Sequence, residues 1–159
     1  MSDFDDLPYK IHTGRELELM LSGLKPFACF VDEYPSEPCE EIIPEEAFQE
    51  HVQSGKFEKR EYVEMLAGAP PASRTDLKGV RRVFYSLPGE GWRIDAYIDM
   101  KARAGLSGWS EELERLEGRL LGYEEWQTDA WIEMLLARPQ SKNFPWLVRL
   151  AAKRGLQNA

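Results

Sequence analysis

The spacing of hydrophobic positions changes several times along this chain, and each change marks a new element. In "IHTGRELELMLSGL", Leu17, Met20, Leu21 and Leu24 recur at i, i+3, i+4 and i+7, the stripe of an amphipathic helix. Thr13 and Glu16 have the spacing of a capping box ahead of it, and Gly23 supplies a stop behind it. "KPFACFVDE" is a short apolar run bounded by Pro26 and acidic residues, which reads as a buried strand. "EYPSEPCEEIIP" is a loop. Pro44 opens a second helix, with Glu45 and Glu46 at its positive end, Phe48 and Val52 on its buried edge, and Gly55 after it. "KFEKREYVEML" alternates as a strand, and "AGAPPASRTDLKG" is a flexible connection.

In "GVRRVFYSLPGEGWRIDAYIDM" two runs rich in β-branched and aromatic residues flank "PGEG", which predicts a β-hairpin over 80–100. Trp92, Ile94, Ala96 and Ile98 would form one face of its second strand, and Arg93, Asp95 and Tyr97 the other. Beyond "KARAGLSG" the helical period returns. Ser110 is placed as an N-cap, Leu113, Leu116, Leu120 and Leu121 form a stripe, and Gly122 ends it. A further helix covers Tyr123 to Ala137, and a last one starts at Pro145. The order predicts a single α+β domain over 1–159: an antiparallel sheet of about four strands with helices on one face, mixed over 1–100 and helical over 109–155.

Composition narrows the function classes. The chain is 43% hydrophobic and 30% charged, which suits a folded domain, and no apolar run approaches the roughly 18 residues that a membrane span needs. "MSDFDDLPYK" is acidic and lacks the apolar core of a signal peptide, so the expected location is cytoplasmic. A disulfide between Cys29 and Cys39 is not expected there. The net charge of −8 is uneven: residues 1–66 hold six Lys/Arg against sixteen Asp/Glu, while five basic and no acidic residues follow Met134.

No motif for catalysis, cofactor or metal emerges. His12 and His51 lie in no zinc spacing, and the ten-residue offset of the two cysteines matches none. There is no G-x-S-x-G elbow, and "LPGEGW" lacks the lysine and the following helix of a phosphate-binding loop. Nucleic-acid binding is disfavoured, because the helix placed to read a groove carries Glu124, Glu125, Asp129 and Glu133. Two sets of candidates remain. Arg81, Arg82, Arg93, Asp95 and Tyr97 would line a polar cleft beside the sheet and serve a small-ligand or enzymatic role. Trp126 and Trp131, with Asp129 and Glu133, would form a partner-binding surface, since tryptophans anchor interfaces. The acidic first half favours a non-catalytic protein-binding module of the inhibitor, immunity or adaptor kind, opposing a basic protein. The basic terminal helix is expected to dock through Trp146, Leu147 and Leu150.

Overall fold

Strand order places one strand at the centre of everything the sheet does. In the computed structural model, which describes residues 4–156, β1 (Phe27–Tyr34) and β2 (Glu58–Met65) both pair antiparallel with β3 (Gly79–Ser86), giving the order β1-β3-β2. Among the described residues there are three strands rather than the four or so expected, and six α-helices. The α+β class holds. The helices are α1 (Glu16–Leu21), α2 (Glu45–Gln53), α3 (Trp92–Ser107), α4 (Glu111–Leu121), α5 (Glu125–Ala137) and α6 (Pro145–Lys153), with a short 3₁₀ turn at Pro139–Asn143. Contacts group into two units: one runs from Glu16 to Ile94, and the other joins the residues up to Arg15 to those from Asp95 onward.

In the sheet unit, pairing of Ala28 with Tyr85 and of Phe30 with Val83 puts four apolar side chains on one face of the sheet. Met20 from α1, Phe48 from α2, Ile43 and Phe57 cover that face, and the Phe48 ring stacks on Tyr85 at 4.2 Å. On the other face Phe27, Phe84 and Ser86 are also fully buried, so burial is not confined to the face with the helices named above. Gly79 begins β3 because nothing larger fits: a Cβ there would sit 2.0 Å from the Glu64 carbonyl oxygen. The helix stripe read around α1 is only half realised. Leu19 and Met20 are buried and Leu17 packs on the core, whereas Leu21 and Leu24 are 46% and 72% exposed. The helix begins at Glu16, so Thr13 lies outside it and the capping box does not form. Gly23, at φ +78, does end the helix.

The predicted hairpin is wrong in its second half. Residues 92–107 form α3, and Ile94, Tyr97 and Met100 are its buried positions, at the i, i+3, i+6 spacing of a helix. Over four residues, Ile94–Tyr97, an apolar-polar alternation and a helical stripe can share the same letters. Helix-favouring residues in "DMKARAG" settle the choice, together with Asp95 in the first turn. Gly89 takes the expected positive φ of +83, but the turn it makes leads from β3 into a helix. The helical part therefore starts at Trp92, well before residue 109.

Helix α4 follows the sequence closely. Ser110 accepts a hydrogen bond from the Leu113 amide at 3.2 Å, Leu113 and Leu120 are buried while Leu116 and Leu121 of the expected stripe are only half-buried, and Gly122 ends the helix at φ +91. Helix α5 turns a different side inward than its tryptophans suggest: Thr128 and Ile132 are its buried residues. Ile132 packs with Trp146, Leu147 and Leu150 of α6, so the terminal helix docks as expected. Arg154 completes the docking with ion pairs to Glu111 and Glu133, acidic residues of this same unit rather than of the first half of the chain. Replacing Leu120 by Ala should destabilise the protein by about 2–5 kcal/mol in denaturant unfolding. Leu21→Ala, on the exposed side of α1, should change it by no more than about 0.5 kcal/mol.

Candidate functional site

The five residues expected to line a cleft are each engaged in separate local contacts. Arg81 and Arg82 are consecutive in β3 and so point to opposite faces of the sheet. Arg81 forms a bidentate pair with Glu45, at 3.0 and 2.9 Å, and also binds Glu61. Arg82 pairs with Glu64 at 3.3 Å. Arg93 pairs with Glu90 at 2.7 Å and lies over the Trp92 ring. Asp95 is exposed, and the buried Tyr97 places its hydroxyl 3.3 Å from a Glu117 carboxylate oxygen. Because Arg93, Asp95 and Tyr97 lie on a helix, they do not share a strand face, and the geometry behind the polar cleft is gone.

The second set divides as well. Asp129 pairs with Arg115 at 2.8 Å and Glu133 with Arg154, so their charge is matched within the chain. Trp131 is half-buried, stacked on Phe4 at 5.6 Å, with its indole N–H donating to Glu114 at 2.7 Å. Of the two tryptophans only Trp126 keeps a large exposed surface, 47%, with its edge contact to Tyr9 at 5.6 Å.

A cavity of about 400 Å³ lies within the helical unit, and its walls were not anticipated from the sequence. The N-terminal segment supplies Phe4 and Tyr9, α4 supplies Glu114 and Glu117, Tyr123 comes from the link between α4 and α5, and Trp131 from the middle of α5. The segment is held in place by rings: His12 stacks on Tyr123 at 3.8 Å and donates its backbone N–H to the Tyr123 hydroxyl at 2.8 Å. Gly118 brings α4 close to α5. A Cβ there would lie 2.6 Å from the Thr128 hydroxyl oxygen. A glycine in the middle of "ERLEGRLL" and two aromatic residues in the polar stretch "DFDDLPYK" are the sequence signals that pointed here.

Two carboxylates on the cavity wall are held differently. Glu117 pairs with Lys101 at 3.4 Å. Glu114 accepts one indole N–H on each oxygen, from Trp109 at 2.6 Å and from Trp131 at 2.7 Å. Among the described residues no lysine, arginine or histidine lies within ion-pairing distance of it. Burial, with the neighbouring Glu117, raises its pKa above the usual carboxylate value, and the two indole donors and the more distant Lys101 offset this only in part. Burial, with the neighbouring Tyr123, also pushes Tyr9 up to about 12.

A different feature stands out in the sheet unit. From Asp32 to Glu50 the chain carries eight acidic residues and no Lys or Arg. Some are engaged: Glu45 binds Arg81 and Lys59, and Glu40 accepts the Glu46 and Ala47 amides at 3.0 Å, capping α2. Glu37, Glu41 and Glu46 are exposed, and among the described residues they have no ion pair. Ile42 lies among them, 46% exposed. Lys25 is a further unusual group: only 2% exposed, with its pKa lowered to about 8 chiefly by that burial.

Both cysteines are free thiols, and among the described residues no group of three His, Cys, Asp or Glu side chains could hold a metal ion. No described helix is long and apolar enough to cross a membrane. No family model, curated protein or solved structure matches this chain.

The Arg81 pair lowers the Glu45 pKa from 4.5 to about 2, with the Arg81 hydrogen bond as the largest cause and Lys59 adding to it. A depressed carboxylate stabilises the fold fully above its unfolded value and loses that contribution as pH falls through the folded one. Glu45→Gln should therefore cost about 1 kcal/mol at pH 7, a figure reduced for the pair's access to water. In thermal melts the difference from wild type should shrink between pH 4.5 and about 2.

Proposed function

We propose that this chain works by binding rather than by catalysis, presenting the acidic stretch Asp32–Glu50 to a basic protein partner. What carries the reading is the cluster of exposed carboxylates at Glu37, Glu41 and Glu46, which have no ion pair among the described residues even though the protein matches many of its other charges internally. Such a surface accelerates encounter with a positive partner and fixes its orientation. Exposed Ile42 adds an apolar contact within the acidic rim, the arrangement common at interface centres. The reading suits an inhibitor, immunity or adaptor protein. A cytoplasmic setting fits the two reduced cysteines.

The test is affinity capture from the source cells at low and high salt, using wild type and the triple variant Glu37→Lys, Glu41→Lys, Glu46→Lys. A basic protein should be retained by wild type at low salt, released at high salt, and not retained by the variant. These positions are exposed, so the variant should melt close to wild type. Equal retention by the two proteins would show that this surface is not the interface.

A further inference from the structure

The cavity in the helical unit has three properties that together specify a ligand class. Its walls are aromatic: Phe4, Tyr9, Tyr123 and Trp131 all line it. Its volume, about 400 Å³, falls within the range of small-molecule sites. It also has a carboxylate on its wall, Glu114, whose two oxygens are held by neutral indole donors and which forms no ion pair among the described residues, Lys101 acting on it only from beyond ion-pairing distance.

Aromatic faces attract cations through their quadrupoles, most strongly where water is excluded. One ring of the set already does this, since the Arg138 guanidinium lies over Phe4 with 5.5 Å between its carbon and the ring centroid. The neighbouring acid differs in an informative way. Glu117 has its own cation, Lys101, which also sits over the rings of Tyr97 at 5.4 Å and Trp109 at 4.9 Å. On α4, therefore, Glu117 is ion-paired with a lysine held among aromatic rings, whereas Glu114, the next acid toward the N-terminus, faces an aromatic cavity and feels that one lysine only at longer range, so the two acids share a single cation. A ligand that places a positive charge beside Glu114 and alkyl groups against the rings would supply what the chain does not.

We propose that this cavity is a binding site for a small organic ammonium compound, its charge facing Glu114 and its alkyl groups packed against Phe4, Tyr9, Tyr123 and Trp131. An anion is disfavoured by Glu114 and Glu117 on the same wall. An uncharged apolar ligand would cover the half-buried Glu114 carboxylate without giving it an ion pair, so charge is the feature that separates good ligands from poor ones.

Choline and its uncharged carbon isostere, dimethylbutanol, separate charge from shape. Titration is followed through the indole N–H resonances of Trp109 and Trp131 by nitrogen-correlated NMR. Because both indoles donate to Glu114, the two should shift together and saturate with choline, and the isostere should bind at least about tenfold more weakly. Glu114→Gln should remove most of that difference, weakening choline about tenfold and leaving the isostere unchanged. Should Glu114→Gln disturb the indole pair and unfold the unit, Tyr9→Leu gives an independent reading: it keeps an apolar wall and should weaken choline severalfold more than the isostere. Equal binding of choline and the isostere would overturn the ammonium assignment while leaving the cavity a ligand site. No saturable shift with either compound, or a response only to a lysine-bearing peptide, would overturn the proposal altogether.

Discussion

Arginine decides where the negative charge of this protein is left. With 28 acidic residues against 20 basic ones, the chain cannot neutralise itself, and the fold selects which carboxylates are matched. Arg81 takes Glu45 and Glu61, and thereby fastens the first turn of α2 to the sheet. Arg115 draws Glu111, Glu125 and Asp129 together and so joins α4 to α5, and Arg154 ties α6 to Glu111 and Glu133. Exposed pairs of this kind contribute little one at a time. Their effect is on placement: helices held by apolar burial are oriented by a few planar, multidentate contacts.

The carboxylates that arginine does not reach include those on which the proposed binding roles rest. Glu37, Glu41 and Glu46 remain on an exposed stretch that has no basic residue. Glu114 remains on the wall of an aromatic cavity, held by two indole N–H groups and with no ion pair among the described residues. Both places favour a positive ligand for the same electrostatic reason, at different scales. In the proposed roles the exposed stretch would act in water, where charge steers encounter, and the cavity where water is scarce and a single charge weighs more.

How much of this was legible in the sequence depends on whether the signal was local. The α4 cap at Ser110, the glycine stops at Gly23 and Gly122 and the start of α6 at Pro145 were all readable, because each rests on the backbone chemistry of one or two residues. The strands β1 and β3 were readable from composition and β2 from its alternation, although β2 is exposed almost throughout. The second half of the supposed hairpin was not, because "WRIDAYI" alternates as a strand and also places Ile94 and Tyr97 one helical turn apart. With the strand went the polar cleft of Arg93, Asp95 and Tyr97, whose common face existed only in extended backbone. The cavity was out of reach for a different reason. Its walls come from residues as far apart as Phe4 and Trp131, and only a few signals, such as a glycine within α4, hinted that two helices approach closely there.

The account rests on carboxylates that differ sharply in how the fold treats their charge, and a carbon-detected NMR titration of the glutamate side chains measures that directly. Glu45, held by Arg81 and Lys59, should titrate near 2, and Glu114, raised by burial and without an ion pair among the described residues, should titrate above the usual carboxylate value of 4.5. If both groups titrated together near 4.5, the fold would not be partitioning its charge in this way, and the account would be contradicted.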